Sequence, residues 1–213
     1  MDMPLLPDYV MNYLDALVPP RSAEMRSMES YAEKIHFPII GPTSGYACYQ
    51  IARMTGAKRI FELGSGYGYS TAWFARAVAE NGGGEVFHVV WDEALSNQAR
   101  QHLKALGYDW LIQYRVGEAV QTLRETAGPF DLIFNDINKE GYADSLPVIA
   151  EKLRHGGVLI VDNMLWHGRI FDTQDTTPET TGVRKLTELL ARSPEWIVSL
   201  MPVRDGVVVA YKK

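Results

Sequence analysis

Apolar residues recur along this chain with two different periods, and the change falls near Lys58. Up to about Gly56 the spacing is helical. It predicts helices over Tyr9 to Leu17, stopping at Pro19-Pro20, then Ser22 to Ile35 and Ser44 to Thr55. Beyond Lys58, short apolar runs alternate with helix-length segments. The runs predict strands at Arg59 to Leu63, Glu85 to Trp91, Leu111 to Val116, Asp131 to Asn135, Gly157 to Val161, Trp196 to Met201 and Val207 to Tyr211. Helices are predicted between the first five, at Ser70 to Ala79, Glu93 to Leu106, Glu118 to Thr126 and Tyr142 to Leu153; another, Pro178 to Ala191, precedes the sixth. Strands separated by helices form a parallel sheet with helices on both faces. Only Pro202 to Gly206 separates the last two strands, and a loop that short permits only an antiparallel hairpin. The expected fold class is α/β: a seven-stranded, mostly parallel sheet closed by an antiparallel hairpin, with an N-terminal helical extension.

A chain of 213 residues, 46% hydrophobic, can bury one full core. No repeat, low-complexity tract or Ser/Gly linker divides it, so residues 1–213 are expected to form one domain that includes the helical residues 1–56. The net charge of −5 gives no global reason to expect nucleic acid, although a local basic patch stays open. The single Cys48 leaves no internal disulfide framework and fits a reducing compartment. The opening Met-Asp-Met-Pro lacks the basic region and apolar run of a signal peptide, and no apolar stretch approaches bilayer length. A cytoplasmic protein with no membrane partner is expected.

The most informative stretch is Phe61-Glu62-Leu63-Gly64-Ser65-Gly66-Tyr67-Gly68-Tyr69-Ser70-Thr71. A strand runs into a loop with three glycines that opens an amphipathic helix. Glycines there let backbone N–H groups approach a ligand, and the helix start adds a positive dipole end. At the carboxyl end of a first strand this reads as a cofactor cradle, the alternative being a tight turn alone. The Gly64-x-Gly66-x-Gly68 spacing is not that of a dinucleotide fold, and the closing hairpin also argues against a dehydrogenase. Glu62 would repel a pyrophosphate and suit a cationic, amino-acid-bearing ligand.

Ligands of an open α/β sheet bind outside the carboxyl ends of the strands. The fourth strand ends in Phe134-Asn135-Asp136-Ile137-Asn138-Lys139-Glu140-Gly141-Tyr142, and the fifth in Val161-Asp162-Asn163-Met164-Leu165-Trp166-His167-Gly168-Arg169. Asp136, Asp162 and Asn163 are therefore expected on one rim. Two carboxylates and an amide oxygen make a hard-cation site suited to Mg²⁺, with Mn²⁺ or Ca²⁺ as substitutes. Zinc is disfavoured, because His/Cys ligand spacing is absent. The alternative is that these residues only cap turns and helices. A lysine near a divalent cation and partly desolvated gives up its proton readily, so Lys139 suits a general base; its alternative is a solvated helix-start lysine. His167 reads as a wall of the site rather than a ligand, and His36, His88, His102 and His155 as structural or exposed. Trp91, Trp166, Tyr67, Tyr69 and Tyr142 border these loops, placed for core packing or for sandwiching a flat substrate or an adenine.

Over nearly its whole length the chain resembles the class I, S-adenosylmethionine-dependent, metal-dependent O-methyltransferases, which include catechol and caffeoyl-CoA O-methyltransferases and a large bacterial branch. The family's Glu-[Ile/Leu]-Gly-x-x-x-Gly-Tyr-Ser loop stands here as Glu62 to Ser70. Its Phe-x-Asp-x-x-Lys-x-x-Tyr motif is Phe134 to Tyr142, and its Gly-Gly-x-x-x-x-Asp-Asn motif is Gly156 to Asn163. The resemblance implies a Rossmann-like fold, a metal held by Asp136, Asp162 and Asn163, and catalysis by Lys139 as base with Asp136. It also implies that Glu62, Gly64, Gly66, Gly68 and Ser70 contact the cofactor, with Asp136 beside it. One position departs: the acid that ends the family's second strand and holds the ribose is here Val90, with Asp92 two residues on along the same strand face. Either Asp92 reaches back to the ribose or the cofactor is held more weakly. Gly117-Glu118-Ala119 replaces the family's Gly-Asp-Ala, which places Glu118 and Ala119 near the adenine.

The expected reaction is methyl transfer to an acidic, phenolic or catechol-like hydroxyl. Tyr13 to Arg21, Glu29 to Glu33, Pro38-Ile39 and Asp205-Gly206-Val207 are similar to the bacterial enzymes that methylate 5-hydroxyuridine at the tRNA wobble position. That makes tRNA an alternative partner, through Arg21, Arg26, Lys34 and Arg169. A non-catalytic S-adenosylmethionine-binding protein is a further alternative. The resemblance favours a homodimer, and Met11, Leu14 and Leu17 suit a dimer contact or a lid.

Overall fold

The helical leader is held to the sheet by polar bonds as well as by packing. The computed structural model describes residues 6–213; the opening Met-Asp-Met-Pro lies outside them. Three helices make the leader: α1 (Asp8–Leu17), α2 (Ala23–Ile35) and α3 (Gly41–Met54). Ser22 caps α2 by accepting from the Met25 N–H at 3.2 Å. Helix α3 starts at Gly41 and not at Ser44, because Pro42 sits in the first turn, where a missing N–H leaves nothing unsatisfied. The Tyr67 hydroxyl donates to the Met28 carbonyl at 2.9 Å, and the Tyr69 hydroxyl to Glu29 at 2.8 Å, so α2 is tied to the glycine loop.

The remaining elements alternate as expected: β1 (Arg59–Leu63), α4 (Tyr69–Glu80), β2 (Glu85–Val90), α5 (Glu93–Ala105), β3 (Ile112–Val116), α6 (Ala119–Glu125), β4 (Phe130–Asn135), α7 (Tyr142–Lys152), β5 (Leu153–Val161), α8 (Pro178–Arg192), β6 (Trp196–Met201) and β7 (Val207–Lys212). They form a seven-stranded sheet in the order β3-β2-β1-β4-β5-β7-β6. Strands β1 to β5 pair in parallel, and β7 runs antiparallel to both of its neighbours. The order reverses between β1 and β4, which opens a crevice beyond their carboxyl ends. Among the described residues no helix is long and apolar enough to cross a membrane.

Alternation along the strands feeds two cores. Ile60, Val86, Leu132 and Val158 join residues of α2 to α5 on one face; Phe61, Leu63, Ile133 and Leu159 join α6 to α8 on the other. Four expectations change. Strand β2 stops at Val90, so Trp91 and Asp92 lie beyond the strand and Asp92 shares no strand face with Val90; it becomes the N-cap of α5. Leu111 belongs to a short 3-10 turn, and β3 starts at Ile112. Strand β5 starts at Leu153, four residues early, because Leu153 pairs with Phe130 before a register shift. Helix α4 is buried almost all round rather than amphipathic, since α3 covers its outer side, with Trp73 lying against Gly45.

Close backbone approach places α8 on the site. A methyl group at Gly182 would overlap the Lys139 carbonyl. Gly182→Ala is therefore expected to lower stability by about 1 to 3 kcal/mol through overpacking, read from the chemical denaturation midpoint; an unshifted midpoint would show that the helix can slide without cost.

Candidate active site

The crevice beyond β1 and β4 is a cleft of about 860 Å³. Gly64 and Gly66 form one wall, with φ of +88° and +51°, and Gly68, at φ +93°, opens α4 behind them. A side chain at 64 would overlap the Asp136 carbonyl, and one at 66 would press on the Phe37 ring. Glycine is thus required where the first loop meets the fourth. Ser65 and Ser70 line this wall, while the leader supplies Phe37, Pro38, Ile39 and Ile40 opposite.

Glu62 lies behind the glycine wall, with no exposed surface. Burial pushes its carboxyl up to about 7, and the hydroxyls of Ser70, Thr71 and Ser65 draw it part of the way back. None of the three makes a hydrogen bond of ordinary geometry to it, so both carboxylate oxygens are without a close partner. The Ser65 hydroxyl instead accepts from the Val89 N–H at 2.9 Å, and Thr71 pairs with His88 Nδ1 at 3.1 Å. His88 is fully buried and stays neutral, its pKa lowered to about 3 by desolvation.

The far end is acidic. Asp136 and Asp162 both line the cleft, as the strand ends predicted, and Asn163 follows with φ +56°. Desolvation, then the charge of Asp136, pushes Asp162 up to about 7. Desolvation also raises Asp136, against the opposing pull of Lys139 and Arg204. Lys139 is not a solvated helix-start lysine: its side chain is 10% exposed, and Nζ donates to Asp136 Oδ1 at 2.7 Å. Its Nζ also lies 5.1 Å from the Tyr142 ring centre, and the Tyr142 hydroxyl donates to the Asp162 carbonyl at 2.8 Å. Among the described residues no three His, Cys, Asp or Glu side chains are grouped to hold a metal ion. The third oxygen offered beside the two carboxylates is the Asn163 amide.

The other expected residues separate into two groups. Gly64, Gly66, Ser70, Asp92, Ala119 and His167 line the cleft, as do Val90 and Trp91. Glu62, Gly68 and Glu118 do not line it. Asp92 accepts from the Ala94 and Leu95 N–H groups at 2.7 and 3.0 Å, so Oδ1 caps α5. Glu118 caps α6 in the same way, accepting from Val120 and Gln121. The β6–β7 loop contributes residues that one strand-end reading overlooks. Asp205 accepts from Asn163 Nδ2 at 3.2 Å and from the His167 N–H, and Arg204 lines the same end of the cleft. The short hairpin loop was visible in the sequence, but its fold back over the end of β5 was not.

Residues 26–213 match a family model described as O-methyltransferase. A catechol O-methyltransferase of Niastella koreensis is 30% identical over 183 residues, covering 82% of each chain. Among solved structures, the O-methyltransferase from Bacillus cereus in complex with SAH superposes with a TM-score of 0.87 at 26% identity, covering 96% of this chain and 97% of that one. The O-methyltransferase TomG from Streptomyces achromogenes, involved in tomaymycin synthesis and solved with SAM, gives 0.86 at 25% identity over 96% of both chains. With the glycine wall and the acidic strand ends on one cleft, this chain belongs to the O-methyltransferase family.

Proposed function

We propose that this O-methyltransferase uses S-adenosylmethionine and a divalent cation to methylate an acidic, phenolic or catechol-like hydroxyl of a small molecule. The observation that carries the reading is the pairing of buried Asp162 with partly exposed Asp136, and Lys139 at 2.7 Å from Asp136, on the cleft that also holds the glycine wall. S-adenosylmethionine supplies a methyl carbon on a sulfonium, and Mg²⁺, or Mn²⁺ or Ca²⁺ in its place, supplies the charge that makes the acceptor hydroxyl acidic. The residues present fit both groups. Gly64, Gly66 and Ser70 leave room against the wall for an amino-acid end, with Gly68 opening α4 behind them, and Val90, Trp91 and Ala119 offer an apolar seat for a base. Two carboxylates that repel each other, Asp162 buried and Asp136 partly exposed, are the complement of a divalent ion. Asp205 occupies the Asn163 amide nitrogen, which leaves Asn163 Oδ1 as the third donor.

The chain's own part follows from Lys139. Its Nζ, once it has given its own proton to solvent, takes the acceptor's proton, and Asp136 holds the ammonium that results. Tyr142, bonded to the Asp162 backbone, and Trp166 beneath the lysine fix its approach and keep water from it. The catechol O-methyltransferase relative supports a small phenolic acceptor. Of the basic residues considered for tRNA, Arg21 is paired with Glu29 and Arg169 with Asp175, which weakens that alternative. An exposed stripe on α1, Tyr9, Tyr13 and Leu17, supports the homodimer contact; Leu17 was anticipated there, but Met11 and Leu14 are half-buried.

The deciding experiment is methyl transfer to catechol with and without a chelator. Wild type is expected to be active with Mg²⁺ and silent with EDTA, and Asp162→Ala silent in both. Lys139→Ala is expected to lose about 10² to 10⁴ in kcat while binding S-adenosylhomocysteine nearly as well as wild type. Methylation of tRNA 5-hydroxyuridine without activity on any small phenol, or a chelator-resistant Asp162→Ala, overturns the reading. Sedimentation velocity is expected to show a dimer that Tyr13→Glu dissociates; a wild-type monomer removes that part of the proposal.

Glu62 generates a pH dependence. Its carboxyl, ordinarily near 4.5, is raised to about 7 in the fold, so between these values the folded chain keeps a proton that the unfolded chain has lost. The stabilisation is complete below about 4.5 and declines as pH rises to about 7. In ligand-free protein the fall in Tm from pH 5 to pH 8 is expected to be smaller for Glu62→Gln than for wild type; equal falls would assign the slope elsewhere.

A further inference from the structure

Arg204 lines the cleft, and the proposed reaction leaves its chemistry unused. It sits in the β6–β7 loop with φ +50°, a left-handed conformation that is costly for a side chain with a Cβ and that tends to persist at functional sites. Gly41, at φ +68°, makes room for its guanidinium: a Cβ there would stand 3.1 Å from Nη1 and 3.2 Å from Cζ. Nη1 donates to the Ile39 carbonyl at 2.6 Å. Among the described residues Arg204 has no ion pair and no other hydrogen bond. The adjacent acid does not answer it, because Asp205 directs its oxygens to Asn163 and the His167 N–H. Asp136 and Asp162 feel its charge, yet neither comes within ion-pair distance.

With Nη1 turned to the leader, the guanidinium edge formed by Nε and Nη2 is left over. Those two N–H groups are spaced for the two oxygens of one carboxylate. A half-buried cation on the wall of a cleft, with no carboxylate at ion-pair distance among the described residues, has a fork free to take an anion. Ile39, Ile40 and Trp166 line the same cleft and suit a flat ring. The geometry points to Arg204 as a specificity-determining residue that selects a carboxylate-bearing aromatic acceptor over a neutral one. This rests on the phenol-methylating reading above and adds the acceptor's second functional group. The acid is bound at Arg204 and takes no part in the transfer itself.

The test compares 3,4-dihydroxybenzoate with catechol as acceptors for wild type, Arg204→Gln and Arg204→Lys, with S-adenosylmethionine and Mg²⁺. Loss of a charge-assisted, bidentate contact predicts that the ratio of kcat/KM for the acid to kcat/KM for catechol falls about 10- to 100-fold in Arg204→Gln, mostly through KM. Arg204→Lys, which keeps charge but not the fork, is expected to fall between. A residue that merely straps the hairpin to the leader would lower both substrates together and leave the ratio unchanged, and that result overturns the inference. Calorimetry of 3,4-dihydroxybenzoate against protein loaded with S-adenosylhomocysteine and Mg²⁺ reads the same contact without turnover: weaker binding to Arg204→Gln supports it, and equal binding overturns it. Should wild type methylate neither diol, the proposed function fails by itself, and the calorimetry still decides the role of Arg204.

Discussion

Two carboxylates brought to one rim, Asp136 partly exposed at the end of β4 and Asp162 buried at the end of β5, constrain everything around them. A folded chain has few reasons to bring such acids together, because desolvation and mutual repulsion both act against it. The parallel β4–β5 register, which sets Asn135 beside Val161, delivers the next residue of each strand to the same rim. Lys139 answers only one of them. The backbone nearby accordingly admits no bulk: Gly64 meets Asp136, and Gly182 meets Lys139.

The two ends of the cleft differ in what they leave unsatisfied. Behind the glycine wall, Glu62 has hydroxyls around it but no close bond, and its charge is suppressed by burial first and by Asp136 second. Toward β2 the obvious acids are already engaged: Asp92 caps α5 and Glu118 caps α6. That end therefore offers Val90, Trp91 and Ala119, a surface for an aromatic base more than for ribose hydroxyls.

Distant parts of the chain close the acidic end. The leader brings Phe37 to Ile40, and the β6–β7 loop brings Arg204 and Asp205, which between them touch the leader, Asn163 and the loop after β5. Backbone bonds from Met164 to the Gly206 carbonyl and from Leu165 to the Asp205 carbonyl, 2.9 and 2.8 Å long, hold the two loops together. An acceptor in this cleft is thus bounded by three segments that share no sequence proximity.

Most of the architecture is legible in the chain, because hydrophobic period and connection length are local. Alternating runs identify all seven strands, and a five-residue loop leaves β6 and β7 only an antiparallel pairing. Asp136, Lys139, Asp162 and Asn163 can be placed on one rim for the same reason: each lies within a few residues of a strand end, and parallel strands share an end. What local pattern does not hold is competition for partners. Nothing in the order of residues says that the Asp92 oxygen goes to two amides of α5, that Asp205 turns to Asn163, or that Arg204 finds no ion-pair partner among the described residues. Those outcomes depend on which groups meet after the sheet twists and the loops pack, so the chain's own pattern defined the fold and the chemistry on offer, and three-dimensional packing chose which of those groups remained available to a ligand.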